Sequence, residues 1–216
     1  MAPTHHIPET TLVEYASGAQ PEAVALLVAT HLALCPACRV RHEELEALGG
    51  ELLDGLAPAD LSVDLGAVMA RLGDAPVPAP LPPKPPPGGF VLPRPLRDYV
   101  GPLGAIQWTG LIPGIQQVEL DLLWEGVPVR LTRLRGGTVV PTHSHTDEEL
   151  SLVLTGGFED EIGHYVRGDV SVRSPEHTHT QRIDKGEACI TLAVNRGRMV
   201  PTGIAGKLIE KLTGGF

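Results

Sequence analysis

Residue types that bind metal ions are concentrated in two short stretches of the chain. The first stretch reads His31-Leu-Ala-Leu-Cys35-Pro-Ala-Cys38. His31 and Cys35 are four residues apart, so they share one face of a helix. Cys38 follows Cys35 with the spacing that is common in zinc sites, where a short turn lets both sulfurs reach one ion. A structural zinc ion needs four ligands. The other histidines nearby are His5, His6 and His42.

The alternatives to zinc for Cys35 and Cys38 are a redox pair and two unrelated thiols. A redox pair normally follows a strand in a βαβ unit, and the sequence shows no such unit here. Zinc binding would also stabilise a small helical domain that has few large apolar residues. The chain has three cysteines, too few for a disulfide framework, which favours metal or redox chemistry in a reducing cytoplasm.

The second stretch is His143-Ser-His145-Thr-Asp-Glu-Glu149, which lies between Gly137 and Gly156. Side chains alternate between the two faces of a β-strand. Residues 143, 145 and 149 are all odd-numbered, so in an extended β conformation we expect their side chains to project to one face. Two imidazoles and a carboxylate that converge inside a barrel form a site for a divalent metal. The spacing matches the first motif of the cupins, in which glycine, His-x-His, glutamate and glycine follow one another at these intervals.

A fourth ligand for this second site is expected after Gly168-Asp169, where the candidates are His177 and His179. The general cupin motif has Pro-x-Gly before its histidine, whereas Pro175-Glu176-His177 lacks that glycine. The general motif therefore leaves both histidines open.

The prolines divide the chain into two parts. Ten of the 21 prolines lie between Ala75 and Pro95, and such a run forms an extended spacer because proline cannot donate a backbone hydrogen bond. We therefore predict a multi-domain α + β protein. A small zinc-binding helical domain spans residues 1–75, a proline-rich linker spans 76–95, and a metal-binding cupin β-barrel or jelly roll spans 96–216. The linker should let the two domains fold separately.

Helix-forming sequence predominates in residues 1–75. The predicted helices are Glu9–Ser17, Glu22–Leu34, Pro36 to Gly49-Gly50, and Ser62–Leu72. The last of these has apolar residues spaced as one helical stripe. They are Leu61, Leu65, Val68, Met69 and Leu72. This stripe either packs on the other three helices or remains free as an interface.

Short apolar or alternating segments separated by glycine-containing turns characterise residues 96–216. The predicted strands include Val127–Leu134, Leu150–Leu154, Val170–Arg173 and Ala188–Val194. Regular short strands of this kind indicate a sandwich or barrel. We expect Trp108 and Trp124 to pack the barrel and Cys189 to be a buried thiol. Lys207–Leu212 is a candidate terminal helix.

The charge is uneven along the chain, whose net charge is −9. Residues 1–75 contain three arginines and eleven acidic residues, a net charge of −8, which disfavours DNA binding because phosphate contacts need cations. Such a unit fits a basic partner, although solubility alone would also explain it. No apolar run approaches the roughly 20 residues of a membrane helix. Residues 1–7 lack a signal peptide's basic and apolar regions, so we expect a cytoplasmic protein that binds no membrane.

The order of His6, the His31-x-x-x-Cys35-x-x-Cys38 triplet and a cupin motif resembles the ChrR-type anti-sigma factors, which join a zinc-binding anti-sigma domain to a cupin. The resemblance covers most of both parts of the chain. It implies that His6, His31, Cys35 and Cys38 bind zinc, with His5 as the adjacent competitor. It further implies that His143, His145, Glu149 and His179 bind a divalent metal, most simply zinc. His179 takes the fourth place because the family's histidine lies eleven residues after the glycine at 168.

The same resemblance implies a function. Members of this family sequester a sigma factor of the extracytoplasmic-function class, and the cupin governs its release under oxidative stress such as singlet oxygen. We therefore expect a regulator with no enzymatic activity and no direct contact with nucleic acid. The alternative is a metallo-cupin enzyme, such as a dioxygenase or isomerase, with an accessory zinc domain. A zinc-dependent DNA-binding protein is disfavoured by the charge of residues 1–75.

Overall fold

The computed structural model describes residues 2–60, 62–72 and 91–202. Five α-helices and eleven β-strands are found among these residues. The helices are α1 (Glu9–Ala16), α2 (Glu22–Leu32), α3 (Pro36–Asp54), α4 (Leu65–Arg71) and α5 (Arg94–Val100). A helical N-terminal part thus precedes a β-rich part, which confirms the predicted fold class. Leu61 and the predicted helix Lys207–Leu212 lie outside the described residues.

The first three helices begin at the predicted residues, and α3 is longer than predicted. Pro36 occupies the first turn of α3, where its missing N–H is not needed. The prediction that this helix ends at Gly49-Gly50 is wrong, because it continues to Asp54. A glycine in a helix interior costs about 1 kcal/mol relative to alanine, which is not enough to end a helix whose flanking residues favour it.

Local structure explains where helices α4 and α5 begin. Helix α4 begins at Leu65 because the side chain of Asp64 accepts a hydrogen bond from the N–H of Ala67 at 2.8 Å. Helix α5 begins at Arg94, inside the range predicted as linker, with a proline in its first turn. Leu92 and Leu96 on either side of this start are buried. The chain therefore enters the folded core before residue 96.

The β-rich part is a cupin-like sandwich of two antiparallel sheets. The first sheet has the strand order β1-β2-β3-β10-β5-β8, and the second has the order β11-β4-β9-β6-β7. The strands of the first sheet are β1 (Thr109–Ile112), β2 (Ile115–Trp124), β3 (Val127–Leu134), β5 (Glu149–Thr155), β8 (Val170–Arg173) and β10 (Cys189–Asn195). Those of the second sheet are β4 (Val139–His145), β6 (Gly157–Glu159), β7 (His164–Val166), β9 (His179–Ile183) and β11 (Met199–Pro201). The predicted strands correspond to β3, β5, β8 and β10.

One hydrophobic core extends through the helices and the first sheet. Helix α2 packs against α5, β2 and β10, and its residues Val24, Leu27 and Val28 are almost completely buried. Trp124 is buried in the same core and Trp108 packs against it, as predicted. A second core cluster lies between the two sheets and contains Cys189, which is fully buried. The helical part and the sandwich are therefore in direct contact.

No single described helix is both long and apolar enough to cross a membrane. Helices α2 and α3 meet those criteria only as a pair, and they are bent by 120° at the break between them.

Candidate metal centres

The structure brings four predicted ligands of the helical part together. Potential ligand atoms of His6, His31, Cys35 and Cys38 all lie within 4.8 Å of one another. The Nδ1 atom of His6 lies 3.4 Å from the sulfur of Cys35 and 3.5 Å from that of Cys38. A tetrahedral ion with a Zn–N bond of about 2.0 Å and a Zn–S bond of about 2.3 Å places nitrogen and sulfur about 3.5 Å apart. The cluster thus has the spacing of a tetrahedral metal site.

The α2–α3 corner positions three of these ligands. His31 lies in the last turn of α2, Cys35 precedes α3 as its N-cap residue, and Cys38 lies in the first turn of α3. The Nδ1–H of His31 donates to the carbonyl oxygen of Gly168 at 2.8 Å. Its buried Nε2 has no hydrogen-bond partner among the described residues, as expected for an atom that binds an ion. We refer to this group as the thiolate centre.

Burial sets the protonation of these groups before any metal binds. It lowers the pKa of His31 to about 4, so the imidazole is neutral at pH 7, which is the form that binds metal. Burial, followed by the neighbouring Cys35, raises the pKa of Cys38 to about 11. A bound divalent ion would displace the thiol proton and supply the positive charge that this site lacks.

His5 and His6 have different surroundings. The ring of His5 packs against Tyr165 with 4.3 Å between ring centroids, and its Nδ1 lies 3.6 Å from a carboxylate oxygen of Asp169. His42 packs edge-on against Tyr15. The structure therefore places His6, and neither His5 nor His42, in the thiolate centre.

The predicted ligands of the cupin part also meet. His143 and His145 lie on β4, and His179 lies opposite His143 at the start of β9. Potential ligand atoms of these three buried histidines lie within 4.8 Å of one another. The Nε2 atoms of His145 and His179 are 3.3 Å apart, and a tetrahedral ion with bonds of about 2.0–2.1 Å separates two nitrogens by about 3.3 Å.

Glu149 reaches this cluster from the other sheet. It is the first residue of β5, which belongs to the first sheet, whereas β4 belongs to the second. The inference that residues 143, 145 and 149 share one face of a single β path is therefore wrong for Glu149. Its Oε2 atom nevertheless lies 3.1 Å from the Nε2 atom of His145. We refer to His143, His145, Glu149 and His179 as the cupin centre.

The two candidate histidines of the second cupin motif are separated by their burial. His177 is exposed in the turn before β9, where its Nδ1 accepts a hydrogen bond from the N–H of Ser174 at 3.2 Å. His179 is 1% exposed and faces the cluster. The structure thus brings His179, and not His177, to the other ligands.

Hydrogen bonds at Nδ1 orient two of the cupin histidines. The Nδ1–H of His143 donates to the carbonyl oxygen of Pro141 at 2.8 Å, and that of His179 donates to Asp160 Oδ2 at 3.2 Å. Both bonds leave Nε2 as the acceptor that a metal requires. No sequence pattern indicates Asp160 as a supporting residue, because Glu159-Asp160-Glu161 has the composition of a solvated turn.

Electrostatics at the cupin centre favours the metal-binding forms of its residues. Burial lowers the pKa of His143 to about 4, so its ring is neutral at pH 7. Burial alone would raise the pKa of Glu149. The hydrogen bond with His145 and the three neighbouring histidines outweigh burial and together lower this pKa to about 2. The neutral imidazole of His143 beside the ionised carboxylate of Glu149 suits a divalent cation.

A cavity of about 100 Å³ borders the cupin centre. Its lining is mainly apolar and includes Ile112, Ile115 and Leu134, while His143 and Glu149 form part of its wall. A small molecule in this cavity would lie beside the cupin centre.

Comparisons with known proteins agree with both halves of this description. Residues 97–200 match the family of the ChrR cupin-like domain. The chain is 38% identical over 208 residues to the anti-sigma-E factor ChrR of Cereibacter sphaeroides, covering 95% of this chain and 96% of that protein. It is also similar to a chain in the crystal structure of Rhodobacter sphaeroides SigE in complex with the anti-sigma factor ChrR. That match has a TM-score of 0.75 and 39% identity, and it covers 89% of this chain and 98% of the other. The chain therefore belongs to the ChrR family of anti-sigma factors.

Proposed function

We propose that this chain is a cytoplasmic anti-sigma factor that binds a sigma factor of the extracytoplasmic-function class and blocks its access to core RNA polymerase. The observation that carries this proposal is the similarity to ChrR over nearly the whole of both chains. The related structure contains ChrR bound to SigE, so a protein of this fold and size can form such a complex. The proposed partner of this chain is a protein, and no contact with nucleic acid is required.

An exposed apolar surface on the helical part supports this role. It consists of the outer half of α3 with the turn after it, and of α4 with its flanking residue, and we call it the apolar helical surface. Its members are Leu48, Leu52, Leu53, Leu56, Leu65, Val68, Met69 and Leu72. Every residue of α4 is exposed, so its stripe does not pack on the other helices. Exposed apolar side chains clustered on a helix in this way mark an interaction site.

Charge around this surface fits the proposed partner. Glu43, Glu44, Glu46, Glu51 and Asp54 lie on α3, and residues 1–75 carry a net charge of −8. Sigma factors present basic faces to nucleic acid, so an acidic helical part would be attracted to them and would cover them. Apolar contacts would then supply most of the affinity, while charge would steer the encounter.

A binding measurement tests this proposal. Leu53→Asp and Met69→Asp each place a charge on the apolar helical surface at residues that are 68% and 58% exposed. We expect each to weaken binding of the partner sigma factor, identified beforehand by copurification with this chain, by about 30-fold or more, the scale of an interface hot spot. The matched control is Leu123→Asp, at an equally exposed position (58%) on β2. Equal binding by all three variants in a calorimetric titration would contradict the proposed interface.

The proposed metal sites have separate roles. His6, His31, Cys35 and Cys38 would bind a zinc ion that holds α2 and α3 together, since a small helical unit gains folding energy from such an ion. His143, His145, Glu149 and His179 would bind a divalent ion, zinc being our proposal, between the two sheets of the cupin. The distances between potential ligand atoms support the thiolate centre with all four residues and the cupin centre with its three histidines. Glu149 is included because its carboxylate lies 3.1 Å from His145.

We further propose that the cupin releases the sigma factor under oxidative stress. The family resemblance supports this step, and the cupin centre is the component that an oxidant would have to change. Burial raises the pKa of Cys189 to about 12, so this thiol is almost never the reactive thiolate and is a poor first target. A sigma-dependent reporter with and without singlet oxygen tests the step. A normal response from variants that bind no cupin metal would remove the cupin centre from the mechanism.

The cavity beside the cupin centre favours an enzyme as the second candidate function. Catalytic cupins share this ligand set, and the cavity offers space next to it. Turnover of small-molecule substrates with iron, manganese or zinc, abolished by Glu149→Gln, would support that function. Sigma-factor binding without turnover would support the regulator alone.

A further inference from the structure

The N-terminal segment that carries His6 is fixed by an acidic residue of the cupin. The backbone N–H groups of Thr4 and His5 donate to Asp169 Oδ1 at 2.6 and 2.9 Å. The carbonyl oxygen of His5 accepts from the N–H of Val170 at 3.0 Å. Asp169 is completely buried, and its second oxygen accepts from the N–H of Val166 at 2.8 Å. The residues immediately before His6 therefore have their position set by the turn before β8.

The same turn also fixes His31. Gly168, which directly precedes Asp169 in this turn, accepts a hydrogen bond from the Nδ1–H of His31 at 2.8 Å. Gly168 has a φ of +94°, and a Cβ atom there would lie 2.6 Å from the Cγ of Pro3, so only glycine fits. Two consecutive residues of the cupin thus support two ligands of the thiolate centre.

A chain of contacts, buried except at His5, leads from this turn to the cupin centre. His5 packs on Tyr165, whose hydroxyl accepts a hydrogen bond from Arg173 Nη2 at 3.1 Å. The same nitrogen of Arg173 forms an ion pair with Asp160, and Asp160 accepts the hydrogen bond from His179. Arg173 is 2% exposed and Asp160 is 9% exposed. Tyr165, Arg173 and Asp160 are thus shielded from solvent and hold one another in position.

We propose that this chain of contacts, His179–Asp160–Arg173–Tyr165–His5 together with the Gly168-Asp169 turn, couples the two metal centres. Metal at the cupin centre holds His179 and Asp160 in place, and Arg173 and Tyr165 pass that constraint to the N-terminal segment. Loss of the cupin metal would then loosen the zinc of the thiolate centre. Because coupling between two binding sites is reciprocal, loss of the thiolate zinc would weaken the cupin site by the same factor.

This inference rests on both sets of residues binding metal, and its test requires no sigma factor. Failure of sigma binding and failure of coupling are therefore distinguishable. Alkylation of Cys35 and Cys38, followed by peptide mass spectrometry, reports the opening of the thiolate centre. All variants are compared at one buffered concentration of free zinc. This concentration is chosen so that, by zinc analysis, both sites of the unchanged full-length chain are filled. Cys189 is fully buried and serves as an internal control for global unfolding.

The decisive variants separate metal loss from breakage of the chain of contacts. His145→Ala removes a cupin ligand. Among the described residues, His145 forms no hydrogen bond or ion pair with Asp160. We expect this substitution to accelerate alkylation of Cys35 and Cys38 by about tenfold, within the usual range of coupling between sites. Glu149→Gln, which keeps the shape of the side chain, should act in the same direction.

Tyr165→Phe removes only the hydroxyl that contacts Arg173. In that background we expect His145→Ala to change the alkylation rate by clearly less than tenfold, since the hydrogen bond to Arg173 is lost while the contacts of the ring with His5 and Arg173 remain. Thr142→Val is the matched control, because it removes a hydroxyl that contacts Thr180 at 2.8 Å outside the chain of contacts. The full tenfold effect should persist in its background. Equal alkylation rates in the unchanged chain, His145→Ala and Glu149→Gln would overturn the coupling, as would an undiminished effect in Tyr165→Phe.

Discussion

His5 and His6 are adjacent in the chain but make unrelated contacts. His6 faces the sulfurs of Cys35 and Cys38, whereas His5 packs on Tyr165 beside Asp169. Backbone hydrogen bonds from Thr4 and His5 to Asp169 fix the direction of this segment and hence which imidazole reaches the cysteines. At the scale of single residues, one carboxylate in the cupin thus decides the ligand of a site in the helical part.

The first prediction compares these two histidines. His6→Ala should reduce the zinc content of the full-length chain from two ions to one, because it removes one of four ligands of the thiolate centre. His5→Ala should retain both ions, since its ring lies outside the centre. Zinc analysis after dialysis, with circular dichroism to monitor helix content, measures the difference. Two ions in His6→Ala with one in His5→Ala would reverse the choice of ligand.

The second prediction concerns the cupin centre. His179→Ala should lose the cupin metal, because the buried Nε2 of His179 lies 3.3 Å from that of His145. His177→Ala should keep the metal, because this residue is exposed and its ring bonds to the local backbone. Metal analysis of the two variants provides a matched pair. Retention by His179→Ala would exclude this residue as a necessary ligand.

The ligand residues could be predicted from the sequence, whereas their supporting residues could not. Spacing identifies His31, Cys35 and Cys38 because a helix end and a short turn impose that spacing locally. Asp160 and Asp169 become important only when distant segments fold against them and exclude water. An acidic residue next to a turn looks the same in sequence whether it is solvated or buried, so no local pattern distinguishes them.

Helix α3 changes character along its length. Its first turn belongs to the thiolate centre, and its second half extends into solvent with Leu52 and Leu53 exposed. Gly49 and Gly50 lie in this second half, directly after Leu48, and no atom outside the helix backbone lies within 4 Å of where their Cβ atoms would be. The glycines weaken the helix at the beginning of the apolar helical surface without interrupting it.

The third prediction follows from these glycines. Gly49→Ala and Gly50→Ala should each stabilise the second half of α3 by about 1 kcal/mol, because alanine favours the helix and meets no steric obstacle. Hydrogen exchange at the amides of residues 51–54 measures this local free energy. Gly18→Ala is the control in the opposite direction, because Gly18 has a φ of +73° that strains an L-residue. Unchanged hydrogen exchange in a variant that carries both substitutions would show that other contacts determine the local stability of this part of α3.

At the scale of helices and strands, the observed elements agree with the predicted ones where local sequence signals dominate. The helix starts at Glu9, Glu22 and Pro36 and the strands β3 and β8 coincide with the predicted ones, because a proline at a helix start and apolar alternation act over a few residues. Helix α5 was missed because prolines dominate the sequence around residue 94, yet a proline fits the first turn of a helix. Its burial depends on α2, which lies far away in the chain and is invisible to a local pattern.

At the scale of the whole molecule, the two parts share one hydrophobic core. Helix α2 lies against α5, β2 and β10, and the hydroxyl of Tyr99 on α5 donates to Glu22 on α2 at 2.6 Å. The sequence led us to expect domains that fold separately on either side of a linker. The structure shows that each part buries apolar residues of the other, and such contact is the condition for a change at one metal centre to affect the other.

The last prediction tests this contact between the two parts by cutting the chain. A protease site inserted at residues 80–86 would separate the helical part from the rest after the full-length protein has folded. We expect the two fragments to remain together on size-exclusion chromatography, because separation would expose the buried face of α2, including Val24, Leu27 and Val28, to water. Asp169→Ala removes the acceptor of three backbone N–H groups and should make the cleaved fragments separate at higher concentration. Immediate separation of the unchanged fragments at micromolar concentration would show that the domains are independent, as the proline distribution alone predicts, and would leave the coupling between the metal centres without a structural basis.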